Sequence, residues 1–142
     1  MKIDKDIAIA KLDIITNCLN SIESYTSFKA ESLEERIIMD AVDINIQRMI
    51  QAVIDIAQNI ISENKLGLPS SYKEYFEVLD QNNIIDKDLS LALKNMCGFR
   101  NILVHNYKKI SKEIVKNLVD NRFNDITEFS KVVTGIIGGN IN

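Results

Sequence analysis

From Leu33 to Glu63 the chain runs without a proline or glycine, and its apolar residues recur at steps of three and four. That spacing lines them along one side of a long α-helix. Ile37, Ala41, Ile44, Met49, Val53, Ile56, Ala57 and Ile60 form the stripe, and Ile38, Val42, Ile46, Ile50, Ile54 and Ile61 widen it. A helix this apolar must be covered on more than one side, by several neighbours or by another subunit. The rest of the chain therefore has to supply that cover.

The flanking segments read as the partners. Ile3, Ile7, Ala10, Ile14, Cys18, Ile22 and Tyr25 predict a first helix from about Asp4 to Tyr25. Ser32-Leu33-Glu34-Glu35 has the S-x-x-E form of a capping box and places the start of the long helix there. Asn64-Lys65-Leu66-Gly67-Leu68-Pro69 is the clearest break. Ser71-Tyr72-Lys73-Glu74 is a second capping box, opening a short third helix to about Gln81 with Tyr75, Phe76 and Leu79 inward. A fourth helix starts at Asp86 or Asp88 and runs through Leu89, Ala92, Leu93, Met96 and Phe99. A fifth is expected from about Ser111 to Ile137, with Ile114, Val115, Leu118, Ile126, Phe129, Val133 and Ile136 inside and Gly138-Gly139 as its stop. The expectation is one all-α domain over residues 1–142, an antiparallel bundle of four or five helices. With one Pro and five Gly in 142 residues, breakers are too few for a strand-rich fold.

Several functions are made less plausible. A net charge of −3 argues against a broad, non-specific nucleic-acid surface. A local basic site is still open, because between Arg100 and Lys116 the cations Arg100, Lys108, Lys109, Lys112 and Lys116 face one anion, Glu113. Cys18 and Cys97 are too few and too far apart for a metal or redox motif, which suggests a reduced, cytoplasmic protein. The charged start, Met1-Lys2-Ile3-Asp4-Lys5-Asp6, lacks a signal-peptide core. No apolar stretch nears the roughly 20 residues that cross a bilayer.

Chemistry concentrates in Gly98-Phe99-Arg100-Asn101-Ile102-Leu103-Val104-His105-Asn106-Tyr107, which contains the only histidine of the chain. Histidine exchanges protons near neutral pH, and the planar arginine fork matches phosphate oxygens. On a regular helix Asn101 and His105 share a face, whereas Arg100 and His105 stand about 140° apart. The arginine must wrap round, the helix must end or bulge, or a second subunit must complete the site. Asn101 can hold the imidazole by a hydrogen bond. RNA cleavage needs only these parts: a base for the ribose 2′-OH, an acid for the leaving 5′-oxygen and a cation for the phosphorane. No metal is required. One histidine cannot be base and acid in one turnover, so two chains about a two-fold axis would supply the pair.

This string resembles the R-N-x-x-x-H-x-Y signature of the HEPN superfamily, in particular its HepT-like toxins. Gln47 to Ile61 is similar to that family's long second helix, and Pro69 to Leu79 to its P-x-S-x-x-x-x-F-x-x-L segment. The resemblance implies a small, HEPN-like helical domain, often dimeric, and a metal-independent ribonuclease without a cofactor. Arg100 and His105 would be its catalytic pair and Asn101 the supporting residue. It further implies a type VII toxin–antitoxin pairing with a minimal, MntA-like nucleotidyltransferase that moves AMP from ATP to Tyr107. The added phosphate would oppose RNA binding by charge and bulk.

Other residues are weighed more evenly. Lys108, Lys109 and Lys112, with Lys116, could guide RNA or simply solvate a helix face. Tyr72, Tyr75 and Phe76 could stack bases, but core packing is the stronger expectation. Asp40 and Asp43 share a helix face without a metal-site pattern, and Asp55 could pair with Arg48 or Arg100. Gly98, costly inside a helix, could admit another backbone or the substrate. The alternative to an enzyme is a non-catalytic nucleotide-binding or scaffold partner of a nucleotidyltransferase; a purely structural helical dimer is a third reading.

Overall fold

In the computed structural model, the backbone is described for residues 1–105 and 109–139, and side chains for residues 1–100 and 112–139. Among these residues there are six α-helices: α1 (Lys5–Thr26), α2 (Arg36–Glu63), α3 (Tyr72–Gln81), α4 (Lys87–His105), α5 (Lys109–Asp120) and α6 (Asn124–Gly139). A 3-10 turn, Ala30–Glu34, precedes α2. The all-α expectation holds, with two corrections to the elements.

The first concerns the start of α2. Ser32 does not cap it: its hydroxyl donates to the Thr26 carbonyl (3.3 Å), and the helix begins after Glu35 without a side-chain cap. The S-x-x-E spacing is real, but the 3-10 turn occupies the place where a cap would sit. The second capping box works in part. Ser71 Oγ accepts from the Glu74 amide (3.3 Å), while Glu74 reaches back one residue further, to the Ser70 amide (2.8 Å). Asp86, rather than Asp88, opens α4, its Oδ1 accepting from the Leu89 amide at 2.7 Å.

The second correction splits the expected fifth helix in two. Asn121–Phe123 turns the chain, with Arg122 (φ 59°) and Phe123 (φ 55°) both left-handed. The Phe123 amide donates to the Leu118 carbonyl (2.9 Å) and the Arg122 amide to Val119 (3.0 Å), the paired bonds of a Schellman stop. No glycine marks it. Phe123 is fully buried, and the Arg122 guanidinium lies 5.4 Å from the Phe28 ring centroid. Tertiary burial of Phe123 thus offsets a backbone conformation that both residues disfavour.

α2 is the central element. It buries Met39, Val42, Ile46, Met49, Ile50, Val53, Ile56, Ala57, Ile60 and Ile61 against its neighbours. α1 runs antiparallel to it, as the links Lys2 to Asn64, Asp4 to Asn59 and Lys11 to Asp55 require. α3 and α4 are also antiparallel: Tyr72, at the start of α3, stands beside Gly98, and four residues later the Phe76 carbonyl accepts from Ser90 Oγ at 3.1 Å. Lys94 pairs with Glu77 at 3.3 Å. Phe76 meets Phe129 of α6 edge-on at 6.4 Å.

The phase of two stripes differs from expectation. α1 buries Ala8, Ile15, Cys18, Ile22 and Thr26, whereas Ile7, Ile14 and Tyr25 are exposed. On α2, Ile37 is 84% and Ile44 51% exposed. Isoleucine lies on several sides of both helices, so the period is legible but the buried face is set by the neighbour. No helix among the described residues is long and apolar enough to cross a membrane.

Candidate active site on helix α4

The α-helical backbone is uninterrupted from Arg100 through Asn101 to His105, the three motif residues carried by α4. No bulge brings the Arg100 and His105 positions closer than five residues on a helix allow. The side chains of Asn101, His105 and Lys109, and all of Tyr107 and Lys108, lie outside the described residues. Arg100 is the motif side chain that the structure places.

Packing around α4 fixes that placement. Leu93, Met96, Cys97 and Phe99 are buried, which leaves Arg100 half-buried on the side facing α2. Its Nη1 donates to Gln51 Oε1 at 2.6 Å. Gln51 Nε2 in turn donates to Asp55 Oδ1 at 2.8 Å, and Asp55 Oδ2 pairs with Lys11 Nζ at 2.9 Å. A polar line thus crosses three helices, from Arg100 on α4 over α2 to Lys11 on α1. Asp55 is not paired directly with either arginine considered for it; it reaches Arg100 through Gln51.

The charges along this line are uneven. Asp55 is neutralised by Lys11 and Gln51 is neutral, so the guanidinium keeps a full positive charge on a partly exposed surface. Such a group can bind and stabilise an anionic phosphoryl centre. Cys97, three residues before Arg100, is no nucleophile: burial pushes its thiol up to about 12, although the nearby Arg100 charge opposes the shift. Cys18 is also free and buried, its pKa raised by desolvation.

Gly98 has a different neighbour from those anticipated. A Cβ there would lie 3.0 Å from the Tyr72 hydroxyl, so the glycine makes room for a side chain of α3. Tyr72 and Tyr75 are half-buried and Phe76 fully buried, as core packing requires. The Tyr75 hydroxyl accepts from Gln58 Nε2 at 2.8 Å.

The basic segment after the motif is tied to the fold at its described end. Lys112 pairs with Glu34 at 2.8 Å; Lys116 pairs with Glu34 at 3.0 Å and with Glu113 at 3.7 Å. Hydrogen bonds from Lys112 and Lys116 hold the Glu34 carboxyl down to about 2, and Glu34 raises Lys116 in return. Any RNA phosphate reaching these lysines must compete with Glu34. Among the described residues no group of acidic, histidine or cysteine side chains could hold a metal ion. Asp43 is buried at 1% exposure, and Asp40 is half-buried.

Sequence reasoning passed over Gln51. Its only signal was position: it lies four residues before Asp55, on the same face of α2, inside the segment that resembles the family's second helix.

The chain is similar to a known protein family over most of its length. The family described as Ribonuclease HepT-like matches residues 15–133. A relative from Shewanella oneidensis named mRNA nuclease HepT is 36% identical over 128 residues, covering 90% of this chain and 96% of its own. Among solved structures, the tri-AMPylated Shewanella oneidensis HEPN toxin in complex with MNT antitoxin superposes with a TM-score of 0.85. It is 35% identical and covers 92% of this chain and 98% of its own. A toxin–antitoxin crystal structure with AMP-PNP gives a TM-score of 0.84 at 35% identity, covering 90% and 98%.

Proposed function

Because the chain belongs to the HepT-like ribonuclease family, we propose that it is the toxin of a toxin–antitoxin pair, an endoribonuclease that cuts RNA at the α4 motif. The observation that carries this reading is the Arg100-Asn101-x-x-x-His105-x-Tyr107 pattern in the sequence, with Arg100, Asn101 and His105 on one helix and the Arg100 guanidinium held at a partly exposed surface. The name of the Shewanella relative supports mRNA as the substrate class.

The chemistry is a transesterification. His105 takes the proton from a ribose 2′-OH, and the 2′-oxygen attacks the adjacent phosphorus. Arg100 stabilises the charge that builds on the phosphorane oxygens. The 5′-oxygen leaves with a proton from a second imidazole, giving 2′,3′-cyclic phosphate and 5′-hydroxyl ends. With one histidine per chain, that second imidazole belongs to the partner of a homodimer. Asn101 orients the imidazole, and Lys108, Lys109 and Lys112 guide the strand. A dimer is supported by the exposed Ile37 and Ile44, which continue at seven-residue steps along α2 to Gln51, the residue that holds Arg100.

The neighbouring solved structures, an AMPylated HEPN toxin with its MNT antitoxin among them, support a minimal nucleotidyltransferase antitoxin as the partner. Its target on this chain would be Tyr107. Transfer joins the Tyr107 hydroxyl to the α-phosphorus of ATP and releases pyrophosphate. The negative charge added to the motif then opposes RNA phosphate.

The test is cleavage of mRNA and tRNA by wild type and His105→Ala, with EDTA present. Cutting by wild type alone, leaving cyclic phosphate ends, is the expected outcome. Cutting by both proteins would move the site elsewhere; cutting by neither, from protein whose mass shows an unmodified Tyr107, would favour the binding-partner reading. Tyr107→Phe should cleave as wild type does and escape neutralisation by the antitoxin with ATP.

A further inference from the structure

We propose that Gln51 is the positioning residue for Arg100, and that Asp55 with Lys11 fixes which way the Gln51 amide faces. The inference rests on the reading of Arg100 as the phosphate-stabilising group of a ribonuclease site.

A glutamine amide has one accepting end and one donating end. Arginine can only donate and an ionised carboxylate can only accept. Asp55 Oδ1, 2.8 Å from the amide, therefore takes the Nε2 end and leaves Oε1 to face α4. That oxygen is the one that meets Arg100 Nη1 at 2.6 Å. Lys11, 2.9 Å from the other carboxylate oxygen, holds Asp55 in place. Each link in the line can be satisfied in one orientation only.

The choice of an amide has a consequence for the chemistry. A carboxylate at position 51 would also hold Arg100, but it would cancel the charge that a phosphorane needs, and it would face Asp55 four residues on. A neutral acceptor takes up one guanidinium N–H without cancelling the charge that substrate needs. The long arginine side chain, otherwise free over many rotamers, is ordered before RNA arrives.

Losing this contact should act on turnover more than on binding, because a mispositioned cation still attracts RNA but no longer meets the phosphorane squarely. Gln51→Ala should lower kcat about tenfold with KM within about twofold. Asp55→Asn, which lets the amide face either way, should lower kcat about threefold, and Asp55→Glu should restore it. In an Arg100→Lys background, Gln51→Ala should have less effect than in wild type, since the two act as a unit. Folding is not at risk at position 51, which is exposed on a helix where alanine is well tolerated.

Arginine side-chain 15N relaxation gives a readout that needs no RNA. The chain has four arginines, so Arg36, Arg48 and Arg122 serve as internal controls and Arg100→Lys assigns the fourth signal. The expected result is an ordered Arg100 in wild type that becomes mobile in Gln51→Ala, together with the fall in kcat. An Arg100 equally mobile in both proteins, or an unchanged kcat despite the lost order, would overturn the proposal. If wild type cleaves no RNA while Arg100 still loses order in Gln51→Ala, the contact is upheld and the ribonuclease reading fails instead.

Discussion

Gly98→Ala places a methyl group two residues before Arg100, and its effect can be worked from one distance. Alanine in a helix interior is favoured over glycine by about 1 kcal/mol. Against this, the new Cβ would stand 3.0 Å from the Tyr72 hydroxyl and 4.0 Å from Cζ. The oxygen must retreat by a few tenths of an ångström. Tyr72 is half-buried at the first position of α3, so it can yield, at a cost of about 1 kcal/mol for a strained rotamer. The two terms nearly cancel, and Gly98→Ala should leave stability about unchanged. In a Tyr72→Phe background the obstructing oxygen is gone. There the same substitution should stabilise by about 1 kcal/mol, or about 4 °C in Tm. Urea unfolding of the four proteins closes the cycle, with a coupling energy of about 1 kcal/mol. Equal effects of Gly98→Ala in both backgrounds would refute the reasoning and leave the glycine unexplained by Tyr72.

Three further outcomes follow from the same geometry. Phe76→Ala should destabilise by about 4 kcal/mol in urea unfolding, since it removes a fully buried ring and its edge-on contact with Phe129; a loss under about 2 kcal/mol would mean the site collapses to fill the space. Glu34 has a folded pKa of about 2 against an ordinary 4.5, so its hold on Lys112 and Lys116 is complete above pH 4.5 and is lost as pH falls toward 2. Glu34→Gln should abolish that acid-range dependence. It should also steepen the salt dependence of RNA binding by cleavage-dead His105→Ala protein, by about 0.7 in log–log slope for each lysine freed; an unchanged slope would show that the lysines do not touch RNA. Cys97, at 3% exposure and with its thiol pushed up to about 12, should resist iodoacetamide at pH 8 in native protein; labelling faster than global unfolding would contradict its burial.

Much of this fold was legible because helical period, capping chemistry and turn composition are local. α1, α2, α3 and α4 run close to their expected bounds, and Ser71 caps α3 as its spacing suggests. The motif residues were legible because a rare histidine, an arginine and a tyrosine at fixed spacing are visible without any fold. The break at Asn121–Phe123 was not, since neither glycine nor proline announces it; the left-handed turn is sustained by burying Phe123 and by the Arg122–Phe28 contact. Ser32 misled because the S-x-x-E pattern cannot tell a helix start from a 3-10 turn that precedes one.

The sequence alone determined that the chain is helical, that α2 is its longest helix, and that the candidate chemistry lies between Arg100 and Tyr107. These depend on residue type and on separations of a few positions. Tertiary structure decided which side of α1 and α2 is buried, because both helices carry isoleucine around much of their circumference and a neighbour must choose. It also decided that Arg100 meets Gln51, 49 positions earlier in the chain. No local rule connects residues that far apart; only the packing of α4 on α2 brings a neutral acceptor to the guanidinium and leaves its charge for substrate.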